Sequence, residues 1–80
     1  MKLRDWRAAH GKTLKQLADD LGLGGGANPS RRAQRVETGE SPVDVPLADK
    51  IVAITGGRVT LEDLHMTRRE WLAANSEAAA

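Results

Sequence analysis

The stretch "LGLGGGANPSRRAQRVETGE", residues 21–40, decides how this chain is read. It sets a run of glycines, an Asn-Pro step and three arginines between two apolar segments. Each glycine disfavours helix by about 1 kcal/mol relative to Ala, so residues 22–28, "GLGGGAN", form a loop. Asn28 followed by Pro29 is a helix-start signal: Asn accepts from the exposed first amides, and Pro is pre-set for the first helical position. The spacing then predicts a helix over residues 29–38, ended by Gly39.

Working outward, Thr13 can cap a preceding helix, with Gln16 completing a capping box and Leu14, Leu17, Ala18 and Leu21 recurring at i, i+3, i+4 and i+7. Gly22 ends it. Leu3, Trp6 and Arg7 with Ala9 and His10 mark a first helix over residues 2–10 that stops at Gly11. Downstream, "ESPVDVP" is a turn, and Leu47, Ala48, Ile51, Val52 and Ile54 or Thr55 predict a fourth helix, closed by Gly56-Gly57 and apolar enough to be central. Thr60 can cap "LEDL", whose Glu62 and Asp63 suit the positive end of a helix. Thr67 repeats the device before "RREWLAA", and the last residues form a frayed tail at 76–80. No segment shows sustained period-two alternation. The expectation is an all-α fold of five to six short helices in one domain over residues 1–75.

Composition narrows the function classes. A chain of 80 residues forms one small core, and without Phe or Tyr that core must be built from Leu, Ile, Val, Ala and two tryptophans. The absence of cysteine excludes a disulfide framework and a thiolate zinc site. The apolar runs are far too short to span a membrane, and "MKLRDW" lacks a secretory apolar core, so a soluble, unprocessed, cytoplasmic protein is expected. Twelve Lys plus Arg against eleven Asp plus Glu give a net charge of +1, which leaves charge distribution, not total charge, to argue for any polyanion partner.

Several motifs resolve to bland readings. Gly22, Gly24 and Ala27 satisfy the G-x-G-x-x-[GA] spacing of dinucleotide-binding turns, but that device needs a strand before it and a crossover after it. Here a helix precedes it, and 80 residues leave no room for the sheet. His10 and His65 lack companions at metal-ligand spacing, Asp19-Asp20 and Glu62-Asp63 read as solvated acids, and Ser30 has no His and acid partners for nucleophilic work. No enzyme, metal or cofactor is expected.

The helix over residues 29–38 is different. Ala33 and Val36 lie three apart and face inward, while Ser30, Arg31, Gln34 and Arg35 project elsewhere with Arg32 at the flank. Two short helices joined by a turn, the second carrying cations on one face, describe a helix-turn-helix. Arg can donate two parallel hydrogen bonds to guanine, and Gln can pair with adenine, in a major groove wide enough to admit a helix. The competing reading of Arg31, Arg32 and Arg35 is a solvated basic face.

Thr13-Leu14, Leu17-Ala18, Leu21-Gly22-Leu23 and "RVETGE" resemble the helix-turn-helix of the lambda-repressor and Cro type, the XRE family. The later "ADKIVAITGGRVTLEDL" is similar to small prophage Cro regulators of the YdaS group. The resemblance spans about residues 3–65. It implies a transcriptional regulator, a repressor acting as a homodimer on a double-stranded DNA operator, with no small-molecule substrate. It implies base reading by Ser30, Arg31 and Arg35, with Arg32 reaching a base or a phosphate; Gln34 joins them by its chemistry. Thr38 and Gly39 fall where the family approaches phosphate, Ala18 and Val36 at packed positions, and Glu37 at a structural glutamate.

The chain departs from that pattern twice. Residues 24–28, "GGGAN", lengthen the turn; doubling a loop adds only about 0.6 kcal/mol of closure entropy, so stability should survive while the docking angle can change. Leu14 stands where a phosphate-binding Gln is usual, which passes the phosphate contact to Lys12 or Lys15. Trp71 and Leu72 either pack on the chain's own core or form a dimer seam. The rival function is a protein-interaction module, such as an antitoxin or anti-repressor partner, on the same scaffold.

Overall fold

The computed structural model describes residues 1–79, with side chains through residue 75. Five helices follow one another: α1 (Leu3–Ala9), α2 (Leu14–Asp20), α3 (Pro29–Thr38), α4 (Val45–Ile54) and α5 (Leu61–Ala79). The fold is all-α, with no strand among the described residues. The expected tail at residues 76–80 lies outside the described side chains.

Local chemistry sets most boundaries. The Thr13 capping box forms as the spacing predicts: Thr13 N–H donates to Gln16 Oε1 at 2.8 Å, and Gln16 N–H to Thr13 Oγ1 at 3.1 Å. At the other end of α2 the Leu23 amide reaches back to the Ala18 carbonyl and the Gly22 amide to Asp19, a Schellman closure that requires Gly22 at φ +74°. Leu23, the hydrophobe of that motif, packs against the core.

Three details depart from expectation. Asn28 precedes α3 in the left-handed region, φ 53° and ψ 58°, and its side chain caps nothing; its carbonyl instead accepts from the Arg31 and Arg32 amides. At a conventional cap Thr is almost as good as Asn, whereas a β-branched residue held left-handed is penalised by about 1–2 kcal/mol. Asn28→Thr is therefore expected to lose about that much in urea unfolding, and a neutral result would restore the conventional cap. Next, α4 begins inside the supposed turn, because Asp44 accepts from the Leu47 amide at 2.9 Å and Pro46 occupies the first turn. Finally, Thr67 caps no sixth helix. Its hydroxyl donates to the Asp63 carbonyl one turn back, and α5 runs through it unbroken.

Leu3, Trp6, Leu17, Ala18, Leu21, Ala33, Val36, Ile51 and Val59 form one buried cluster. Only Ile51 represents α4 there, while Val45 is 73% exposed, so α4 is not central. It is apolar on more sides than this small domain has neighbours to cover. The pivot is α3, which packs chiefly on α2 and also touches α1 and α5.

Two polar ties fasten α3. Glu37 is buried and takes two hydrogen bonds from the Arg7 guanidinium of α1, whose third arm donates to the Lys12 carbonyl at 2.9 Å. After α3, Arg68 of α5 donates to the carbonyls of Gly39 and Glu40, each at 2.7 Å, placing a cation at the negative end of the helix. The guanidinium also lies over the half-buried Trp71 ring one turn on, 5.4 Å from its centroid; Leu72 is exposed, and neither residue belongs to the buried cluster.

Thr60 and Asp63 cap the start of α5 reciprocally. The Met1 ammonium, 2.8 Å from the Asp63 carboxylate, and the Thr60 amide hold that carboxyl at about 2, below its ordinary 3.8.

Candidate functional site

The first residues of α2 and α3 meet at the surface around one open depression. Leu14 and Lys15 of α2 form one side; Asn28, Pro29, Ser30, Arg31 and Gln34 form the other. The arrangement follows from packing. Leu17 and Ala18 on α2, Leu21 at its C-cap, and Ala33 and Val36 on α3 bury their shared seam, which turns the opposite face of α3 outward.

This depression is electrostatically one-sided. Lys15 and Arg31 are exposed and pair with no acid among the described residues, and no carboxylate lines the rim. Neighbouring depressions differ: one beside α1 and α2 includes Asp19 and Asp20, and one between α1, α3 and α5 includes Asp5, Glu37 and Glu70. Arg4, Arg32, Lys50, Arg58 and Arg69 also form no ion pair among the described residues; this depression is marked by two such cations on one rim without a carboxylate. Chemically, the site offers a guanidinium fork, an ammonium, an amide and a hydroxyl around a small apolar floor. That set suits a ligand that is anionic at its edges and carries hydrogen-bonding groups within. Among the described residues no group of three or more His, Asp or Glu could hold a metal ion.

Of the residues singled out in the sequence, Lys15, Ser30, Arg31 and Gln34 come together here. Arg32 is exposed on the flank, its Nη1 2.7 Å from where a Cβ on Gly26 would stand, so the lengthened loop lies against it. Arg35 is folded toward Glu40, with Nε 3.9 Å from the carboxylate and enclosed without a hydrogen bond. Thr38 is exposed at the far end of α3, where its hydroxyl bonds the chain's own Arg35 carbonyl and Glu40 amide.

Two residues expected at phosphate are engaged elsewhere. Lys12 pairs with Asp20 at 2.5 Å and lies over Trp6, 5.5 Å from its ring centroid. Its charge is engaged away from the depression, and of the two candidate lysines Lys15 alone reaches it. Gly39 is buried, its amide donating to Val36 and its carbonyl accepting from Arg68. The amide closes the end of α3, and the carbonyl joins α3 to α5.

Sequence reasoning missed Leu14, Asn28 and Pro29 as lining residues. It placed Leu14 in the core stripe and the other two at a helix start, all of which are local descriptions. Their proximity depends on how α2 and α3 cross; the hints in the sequence are that Leu14 and Pro29 each open a helix and that Leu14 stands where the resembled family usually carries a phosphate-binding Gln.

Compared with family models, with curated proteins and with solved structures, the chain matches none. No helix is long and apolar enough to cross a membrane among the described residues.

Proposed function

We propose that this protein is a sequence-specific, double-stranded DNA-binding transcriptional regulator, a repressor that inserts α3 into the major groove of a short operator. The observation that carries the reading is the carboxylate-free depression at which Lys15, Ser30, Arg31 and Gln34 converge. Arg31 donates two parallel hydrogen bonds to guanine O6 and N7, Gln34 pairs with adenine, and Ser30 serves either. Lys15, with Arg32 at the flank, contacts phosphates, which set the register without reading sequence. Arg35 contributes a base contact by leaving Glu40.

The resemblance to the lambda-repressor and Cro type supports the same reading. On it the protein works in the cytoplasm as a homodimer, whose two-fold axis holds the α3 helices about 34 Å apart, one turn of duplex. Repression follows from occupying a promoter, and no catalytic step or cofactor is involved. Each phosphate contact releases counterions, so affinity falls steeply with salt.

Selection of bound sequences from a randomised duplex pool tests this. The expected result is a palindromic element containing guanine, on which Arg31→Ala loses about 1–3 kcal/mol and relaxes one position. An equal loss on every duplex would reassign Arg31 to phosphate. Failure to retain any duplex at low salt would overturn the proposal in favour of the protein-interaction module.

A further inference from the structure

The rim of the depression accounts for a guanine, an adenine and a phosphate, but its floor does not. Leu14 and Pro29 are both half-buried. Leu14 packs one side against the core and with Pro29 lines the open space between Lys15, Arg31 and Gln34. Two apolar side chains ringed by unpaired cations and an amide would be a poor feature in a surface meant only to hold phosphate. They suit a ligand that carries a small apolar group between hydrogen-bonding edges and charge. Within the major groove one base has that character, since thymine presents a C5-methyl beside its O4 acceptor while cytosine presents only hydrogen there. Charge complementarity between the two free cations and a polyanion supports DNA as the occupant.

We infer that Leu14 and Pro29 form a receptor for a thymine methyl, making Leu14 a specificity-determining residue next to the base held by Arg31. The inference rests on the DNA-binding reading and adds to it a named base and a named apolar contact. Leu14 discriminates thymine by excluding water from the methyl, with no hydrogen bond involved. The contact therefore leaves the salt dependence unchanged and is insensitive to the charge of the rim.

The test replaces each thymine of the selected duplex, one at a time, by deoxyuridine, which keeps every hydrogen-bonding group and lacks only the methyl. One position per half-site is expected to lose about fourfold in affinity, the value of one buried carbon, with the others unchanged. With Leu14→Ala the thymine and deoxyuridine duplexes should bind equally well, while Arg31→Ala should keep their difference. Leu14 also packs on the core, so Pro29→Ala, at a more peripheral position, provides the same comparison if Leu14→Ala does not fold. Equal affinity for every deoxyuridine duplex, or a full difference retained by both floor variants, would overturn the inference while leaving DNA binding standing. Absence of binding to any duplex would overturn both.

Discussion

Arg7→Met is expected to unfold at a much lower urea concentration, having lost about 3 kcal/mol, near the low end of the range for removing one partner of a buried ion pair. The remaining Glu37 carboxylate would keep a side chain only 4% exposed and have no cation to answer it. Arg7 itself is 21% exposed, so water entering the gap moderates the loss. The guanidinium also holds the Lys12 carbonyl, and removing it frees the turn between α1 and α2 as well. A domain of this size has on the order of 4–12 kcal/mol in total, which makes the loss a large share. Replacing both members, Arg7→Met with Glu37→Leu, should restore much of it, because a buried pair exchanged for apolar groups is often neutral or stabilising. Urea titration followed by circular dichroism measures both. A single variant within 1 kcal/mol of the parent would show that this pair does not tie α1 to α3.

Gly39→Ala should be about as damaging, for a different reason. The residue sits at φ +86°, and an added Cβ would stand 2.5 Å from the Thr67 carbonyl oxygen and 3.1 Å from the Arg68 Cα. Those neighbours are backbone of α5 and cannot swing aside. Left-handed strain of about 1–2 kcal/mol adds to an overpacking penalty of about 1–3 kcal/mol, giving roughly 2–5 kcal/mol in thermal or urea unfolding. Gly25→Ala is the matched control, since nothing lies within 4 Å of its Cβ position and the loop should accept the change with little effect. Equal stability of the two variants would mean that α3 and α5 are not in such close contact.

The contrast between these two residues and the helix ends separates what the sequence makes legible from what it hides. The Thr13 and Gln16 box, the stop at Gly22 and the bounds of α3 are set within a few residues of chain, and local rules suffice to read them. Thr67 is ambiguous in the sequence because a hydroxyl that caps one helix can equally bond one turn back inside another, and the choice lies with the continuing packing of α5. The apolar content of α4 was visible, but whether neighbours cover it was not. Glu37 carries a structural role through the resemblance, yet its partner Arg7 lies thirty positions away, beyond any spacing rule. Within the candidate site the outward residues of α3 follow from helical periodicity. The choice of Lys15 over Lys12 depends on where Asp20 and Trp6 come to rest, and the apolar floor depends on how two helices cross.

On the DNA-binding reading, duplex DNA lies against α3 and the start of α2. Amide chemical shifts followed while the selected duplex is added test it most directly. Resonances of residues 14–15 and 30–35 should move and show salt-dependent saturation, while those of residues 64–75 on α5 keep their positions apart from any concentration-dependent dimer contact seen without DNA. Shifts confined to α5, with α3 unmoved at saturating duplex, would contradict it.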